Sequence, residues 1–171
     1  IALHMAFRGE KPTLVSCVGD DDLGRVALKL LKDHDISTEY IRIDHEHETG
    51  KVIVSLDRKG NPTFNLLKQV AYDYITLSET QYEKLANTTF DFLYFGSNTQ
   101  REAVGKNTAR ELIRRASYKY AFCDINLRKG VYTSEIIEYC LSHCDILKLN
   151  NHEILEIANL YQLGTSNEQD I

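Results

Sequence analysis

The sequence predicts an α/β protein, a parallel, doubly wound sheet with a small β hairpin set outside it, and three observations carry that expectation. Segments with helical spacing of apolar residues alternate with short strand-like runs along nearly the whole chain, the pattern of βαβ units. Residues 51–70 break that rhythm with two strand-like runs in succession, which places them in a separate small sheet. The runs at 123–128 and 145–153 are hydrophobic strands ending in polar groups, and such ends are where open α/β sheets bind their ligands.

In chain order, residues 1–8 have the spacing of a helix with Gly9 as its C-cap, and 13–18 read as a strand. Residues 23–33 form a helix on which Leu23, Val26, Ala27, Leu30 and Leu31 make one apolar face, preceded by Asp20, Asp21 and Asp22, whose charges suit its dipole. A short strand follows at 40–43. From 51 to 57 polar and apolar residues alternate, with Val52, Val54 and Leu56 on one face; Arg58, Lys59, Gly60 and Asn61 supply a turn, and 62–70 return as the partner strand. The rhythm then resumes with helices at 78–86, 101–117, 134–143 and 151–161 and strands at 90–95, 120–124 and 145–149. Ser166 and Gln169 have capping-box spacing, which announces one more helix. With Ile1 in mid-pattern, both ends read as severed.

A chain of 171 residues suits one domain with a real core. A net charge of -5 with no basic run gives no footing on nucleic acid or an anionic membrane. No apolar stretch approaches the ~20 residues needed to span a bilayer. The start also lacks the charged region of a secretion signal. A soluble, cytoplasmic protein is the expectation. Cys17 and Cys123 fall in strands and Cys140 and Cys144 lie one helical turn apart; without a second close pair they read as reduced core thiols rather than a zinc site. The run His45-Glu46-His47-Glu48 reads as a solvated loop, because two histidines at i, i+2 without further ligands hold zinc poorly.

The polar strand ends carry the chemistry. Asp124, Asn126 and Arg128, at i, i+2 and i+4 of an extended run, project to one side. Asn150 and Glu153 share a face at a helix start, where two readings stand: oxygen ligands for a hard cation beside bound phosphate, or a helix cap and its completion. Lys148 serves phosphate or a strand-end salt bridge; Arg128 fits a phosphate or a hydroxyl with its fork of donors, or is an ordinary loop arginine. Gly96 and Ser97 end a strand where a missing side chain admits a ligand. Arg101 opens a helix, where a cation opposes the dipole and wants a partner. Phe64 and Leu66 either cover a ligand or form the hairpin's own buried face.

Several of these features, taken together in order, resemble the pfkB sugar-kinase family that includes ribokinase and bacterial fructokinase. Asn150-x-x-Glu153 is similar to its Asn-x-x-Glu motif for magnesium and phosphate, and Asp124-x-Asn126-x-Arg128 to the strand end of its fructokinase-like branch. Ala2, Gly9 and Gly19 fall in the register of the family's N-terminal signature, although its leading Gly-Gly-x-x-Asn is absent; Gly19-x-Asp21-x-x-Gly24, Glu48-Thr49-Gly50 and Phe95-Gly96-Ser97 with Arg101 follow in order. The resemblance implies a single, partial ribokinase-like kinase domain over residues 1–171, with a β-lid insertion at about 39–75. It implies ATP-dependent phosphorylation of a small sugar, fructose first, with magnesium. The rivals are a 2-keto-3-deoxygluconate kinase or another sugar kinase, and, from a different class, a degenerate member that binds sugar or dimerises without catalysis. It further implies a homodimer through the lid. In these roles Arg128 and Lys148 hold phosphate, Gly96, Ser97, Arg101, Asp124, Asn126 and Phe64 bind sugar, and Asn150 and Glu153 hold magnesium, in part through water. The catalytic aspartate of the family's Gly-Ala-Gly-Asp run is absent from these residues, so the 171 residues alone are expected to be inactive.

Overall fold

A computed structural model describes residues 1–56, 60, 62–128 and 130–163, with the backbone alone at 63 and 64. Three of the four turn residues, Arg58, Lys59 and Asn61, and the capping pair Ser166 and Gln169 lie outside the described residues. The chain divides into two compact units, Ile1–Gln81 and Tyr82–Ile171.

The first unit opens with helix α1 (Ala2–Ala6), which is capped by Phe7 and therefore stops short of the expected residue 8; Gly9 turns the chain at φ +84. Strand β1 (Ser16–Gly19) pairs in parallel with β2 (Ile41–Asp44), Ser16 opposite Ile41. The expected strand over 13–18 starts late because Ser16 is the first residue with a partner across the ladder. Helix α2 (Asp22–Asp33) follows, and its N-cap Asp21 accepts the Gly24 amide at 2.8 Å. The stripe Leu23, Val26 and Leu30 is exposed, since no described residue covers it. Strands β3 (Val52–Leu56) and β4 (Pro62–Leu66) pair antiparallel in a sheet of their own, as the broken rhythm predicts. The strand expected over 62–70 ends at Leu66, because Val52 is the last residue opposite it. Cys17, Ala71 and Ile75 form the small core, with Val15 and Tyr72 against it.

Asp21 does more than cap its helix. Its carboxylate also accepts the Thr49 amide at 2.8 Å and the Thr49 hydroxyl at 2.7 Å, while Thr49 Oγ1 accepts the Gly19 amide at 2.9 Å. These bonds tie Gly19-x-Asp21-x-x-Gly24 to the root of the hairpin. The Thr49 amide first, then its hydroxyl and the Gly24 amide, hold the Asp21 carboxyl down at about 2, below its ordinary 3.8. A folded-state pKa below the unfolded one means that the latch stabilises fully above the unfolded value and is lost as pH falls toward the folded one. Asp21→Asn should therefore be less stable than the parent at neutral pH, with a gap that closes between about pH 4.5 and pH 2. Urea midpoints across that range check it, and a gap independent of pH would count against the latch.

In the second unit, helix α3 (Glu79–Ala86), which begins in the first unit, leads to strand β5 (Thr89–Phe95). Helix α4 (Ala103–Arg115), strand β6 (Ser117–Asp124), helix α5 (Ser134–Ser142), strand β7 (Ile146–Lys148) and helix α6 (Asn151–Leu160) then alternate. The strands are all parallel, in the order β5-β6-β7. Helix α4 starts two residues after Arg101, because a 3-10 turn over Asn98–Gln100 intervenes and Glu102 is extended. Arg101 is thus not a first-turn residue of the helix, which corrects the dipole conflict expected for it. One face of this sheet packs Cys123 with Ile136, Ile137 and Cys140, joined by Ile125 and Leu127 beyond the strand end. Its other face leaves Phe92, Tyr94 and Tyr120 exposed, Phe92 packing on Tyr120 at 5.7 Å. All four cysteines are free thiols, and only Cys144 is not fully buried. No helix among the described residues is long and apolar enough to cross a membrane.

Candidate active site

The ends of β5, β6 and β7 are bound together mainly through backbone. A Cβ on Gly96 would lie 2.5 Å from the Asp124 carbonyl oxygen, so only glycine lets the two strand ends approach this closely. Ser97, which is 1% exposed, donates its hydroxyl to the Ile125 carbonyl at 2.6 Å. That bond makes it a tie between loops, with its hydroxyl turned to backbone. Gln100, equally buried, donates to the Gly96 carbonyl at 3.3 Å and to Cys140 Sγ at 3.2 Å, and its own oxygen accepts from Arg110 Nε at 3.2 Å.

Asp124, at the last register position of β6 opposite Lys148, is the electrostatic centre. Its Oδ2 accepts both Lys148 Nζ at 2.8 Å and the Tyr94 hydroxyl at 2.9 Å. Burial, and then the hydrogen bond to Asp124, push the Tyr94 phenol well above its ordinary range, so it stays a donor. The same carboxylate raises the Lys148 pKa and keeps that ammonium charged. Beside this group lies a cavity of about 170 Å³ lined by Tyr94, Gly96, Asn98, Thr99, Asp124 and Asn126. Asn126 reaches it from a left-handed backbone, φ +45, a conformation that asparagine tolerates better than most residues.

Asn150 and Glu153 form a complete capping box. Asn150 Oδ1 accepts the Glu153 amide at 3.0 Å and Glu153 Oε2 accepts the Asn150 amide at 2.8 Å. The other carboxylate oxygen accepts the Leu127 amide at 2.9 Å, so Glu153, 4% exposed, joins the segment after β6 to the start of α6. With both oxygens turned to backbone amides, this pair does not fit magnesium as direct ligands. Each oxygen keeps a further lone pair, which suits a contact to a cation's own water. Among the described residues no three His, Cys, Asp or Glu side chains are grouped to hold a metal.

The structure thus brings Gly96, Ser97, Asp124, Asn126, Lys148, Asn150 and Glu153 to one end of one sheet, with partly buried Arg128 one residue beyond the Leu127 tie. Arg101 closes the 3-10 turn on that side. Phe64 belongs to β4 of the other unit, and its side chain lies outside the described residues. The loop histidines are taken up locally: His45 Nδ1 meets Asp20 at 3.0 Å, and His47 contacts buried Asp44 at 3.3 Å and stacks on Tyr74. Sequence reasoning missed Tyr94, Asn98, Thr99 and Gln100. Only Tyr94 had a signal, its shared strand face with Phe92.

Comparison with known proteins gives these features a context. The family model for pfkB family carbohydrate kinases matches residues 1–170. A Pyrococcus horikoshii protein described as an uncharacterized sugar kinase is 27% identical over 167 residues, 93% of this chain and 53% of its own. Its crystal structure superposes with a TM-score of 0.79, at 26% identity over 93% of this chain and 54% of that one. Fructokinase from Xylella fastidiosa with bound ATP superposes with a TM-score of 0.82 at 21% identity, over 99% of this chain and 53% of that one. Fructokinase from Vibrio cholerae O395 with fructose, ADP and calcium gives 0.76 at 19%, over 99% and 55%. The chain spans about half the length of these relatives, and it shares their α/β fold, as the alternation of its elements predicts. The match runs through the strand ends on which Asp124, Lys148 and the Asn150–Glu153 box are held, and from end to end of the described structure this chain belongs to the pfkB family of carbohydrate kinases.

Proposed function

We propose that the protein carrying this chain transfers the terminal phosphoryl group of ATP to a hydroxyl of a small sugar, fructose first. The single observation that carries the reading is that Asp124, held by Lys148 and Tyr94, lines a cavity at the strand ends together with Tyr94, Gly96 and Asn126. Phosphoryl transfer depends on positioning and on positive charge near the transferred group. Lys148, kept charged by Asp124, and Arg128 supply that charge, while Asp124, Asn126, Gly96, Ser97 and Arg101 shape the sugar's surroundings. Magnesium, which would neutralise charge on the phosphates, would be held through its waters near Glu153 and Asn150. The base that activates the sugar hydroxyl is assigned outside these residues.

The same reading makes 1–171 part of one kinase domain and residues 39–75 a lid, with Phe64 on it. The exposed Val52, Val54 and Leu56 then pair across a cytoplasmic homodimer. Support comes from the family match and from the fructokinases among the solved structures. A coupled assay of the full-length protein over a sugar panel with ATP and magnesium tests it. Phosphorylation of fructose is the expected result; preference for 2-keto-3-deoxygluconate moves the substrate, and inertness to every sugar favours a binding protein.

A further inference from the structure

We propose that Lys148 is an exchangeable counter-ion that couples the nucleotide and sugar sites, and that Tyr94 is the positioning residue that holds Asp124 once Lys148 has left it. The proposal rests on the sugar-kinase reading above and deepens it. Two donors share one oxygen, Asp124 Oδ2: Lys148 Nζ at 2.8 Å and the Tyr94 hydroxyl at 2.9 Å. They differ in what decides which of them can move. Lys148 ends β7 with its side chain 59% exposed on a flexible stem, so it can turn away without unpacking its surroundings. Tyr94 lies inside β5 with its ring stacked on Phe122 of β6 at 5.6 Å, which fixes where its hydroxyl points. Asp124 and Tyr94 line the strand-end cavity, and Lys148 does not. The carboxylate therefore faces the place of the sugar, while its counter-ion stands outside it.

Among the described residues Lys148 is the one cation paired with Asp124. A triphosphate carries several negative charges against the single charge of a carboxylate, and an exposed ion pair holds weakly, so an ammonium within reach of both goes to the phosphates. Asp124 then loses a competitor for Oδ2 and keeps its charge, which strengthens the hydrogen bonds it accepts from sugar hydroxyls. In that exchanged state Tyr94 keeps the carboxylate aimed at the cavity. Nucleotide binding thus tightens sugar binding, and by linkage the sugar tightens nucleotide binding by the same factor.

The test is the dissociation constant of D-fructose for the full-length protein, measured by titration calorimetry with and without magnesium and the β,γ-imido analogue of ATP. In the parent, saturating analogue should tighten fructose binding about fivefold, the low end of coupling between sites, as suits an exposed ion pair. Lys148→Met should bind fructose alone about as tightly as the parent does with the analogue, and the analogue should add nothing. Lys148→Arg, which keeps the cation, should restore part of the coupling. Tyr94→Phe should lose fructose affinity several-fold with the analogue bound and little without it, a difference between states that a structural role would not produce. Parental coupling in Lys148→Met, or no coupling in the parent, would overturn the exchange while leaving the kinase reading in place. Equal weakening of Tyr94→Phe in both states would overturn its positioning role. A parent that binds no fructose in either state removes the fructose reading and this inference with it.

Discussion

Glu153→Ala should lower the stability of the protein by about 2–4 kcal/mol, a larger loss than for a surface carboxylate. The buried amide of Leu127 and the partly buried amide of Asn150 lose the carboxylate oxygens that accept them, and an unsatisfied buried donor costs about 1–3 kcal/mol. Glu153→Gln should lose less, about 1–3 kcal/mol, since one oxygen remains while its amide nitrogen cannot accept. Asn150→Ala removes a helix cap only, worth about 1 kcal/mol. Urea unfolding at constant m-value gives the magnitudes, and hydrogen exchange should speed up at Leu127 and Asn150 together. A Glu153→Ala protein within about 0.5 kcal/mol of the parent, the scatter expected of surface changes, would show that the tie does not hold the β6 loop.

Arg128→Ala should reduce kcat of the full-length enzyme on its sugar by about a hundred- to a thousand-fold, the usual effect of removing one preorganised group from developing charge. Its sugar KM should move little, because charge on the transferred group builds in the transition state. Arg128→Lys keeps the charge, loses the planar fork, and should recover part of the rate. Since Arg128 is only partly buried, the fold should survive both changes. A variant retaining near-parental kcat would take Arg128 out of the transfer step and leave Lys148 as the phosphate cation.

Much of the architecture was legible because helices and strands write their periods into the sequence. The alternation from α3 to α6 and the separate hairpin follow from spacing alone, and so does the placement of Asp124 and Lys148 at strand ends. Boundaries shifted where a partner strand or a cap decided them. Ser16 begins β1 because Ile41 lies opposite, and α4 waits for the extended Glu102.

At the candidate site, residue types in order pointed to one end of one sheet, where the structure gathers them, yet two readings of Asn150 and Glu153 stayed open. Both depend on where Glu153's oxygens turn, and one of them turns to Leu127, 26 positions away. No local pattern encodes that contact. Asn98 and Gln100 were silent for the same reason: a polar residue in a short turn becomes informative only when its neighbours are known. What the sequence by itself determined is the order and type of the elements, the family, and which polar residues fall at strand ends, because these depend on periodicity and composition within short windows. Only the tertiary structure decided which carboxylates are spent on distant backbone amides and how Gly96 and Asp124 meet, because each is set by pairing between segments far apart along the chain.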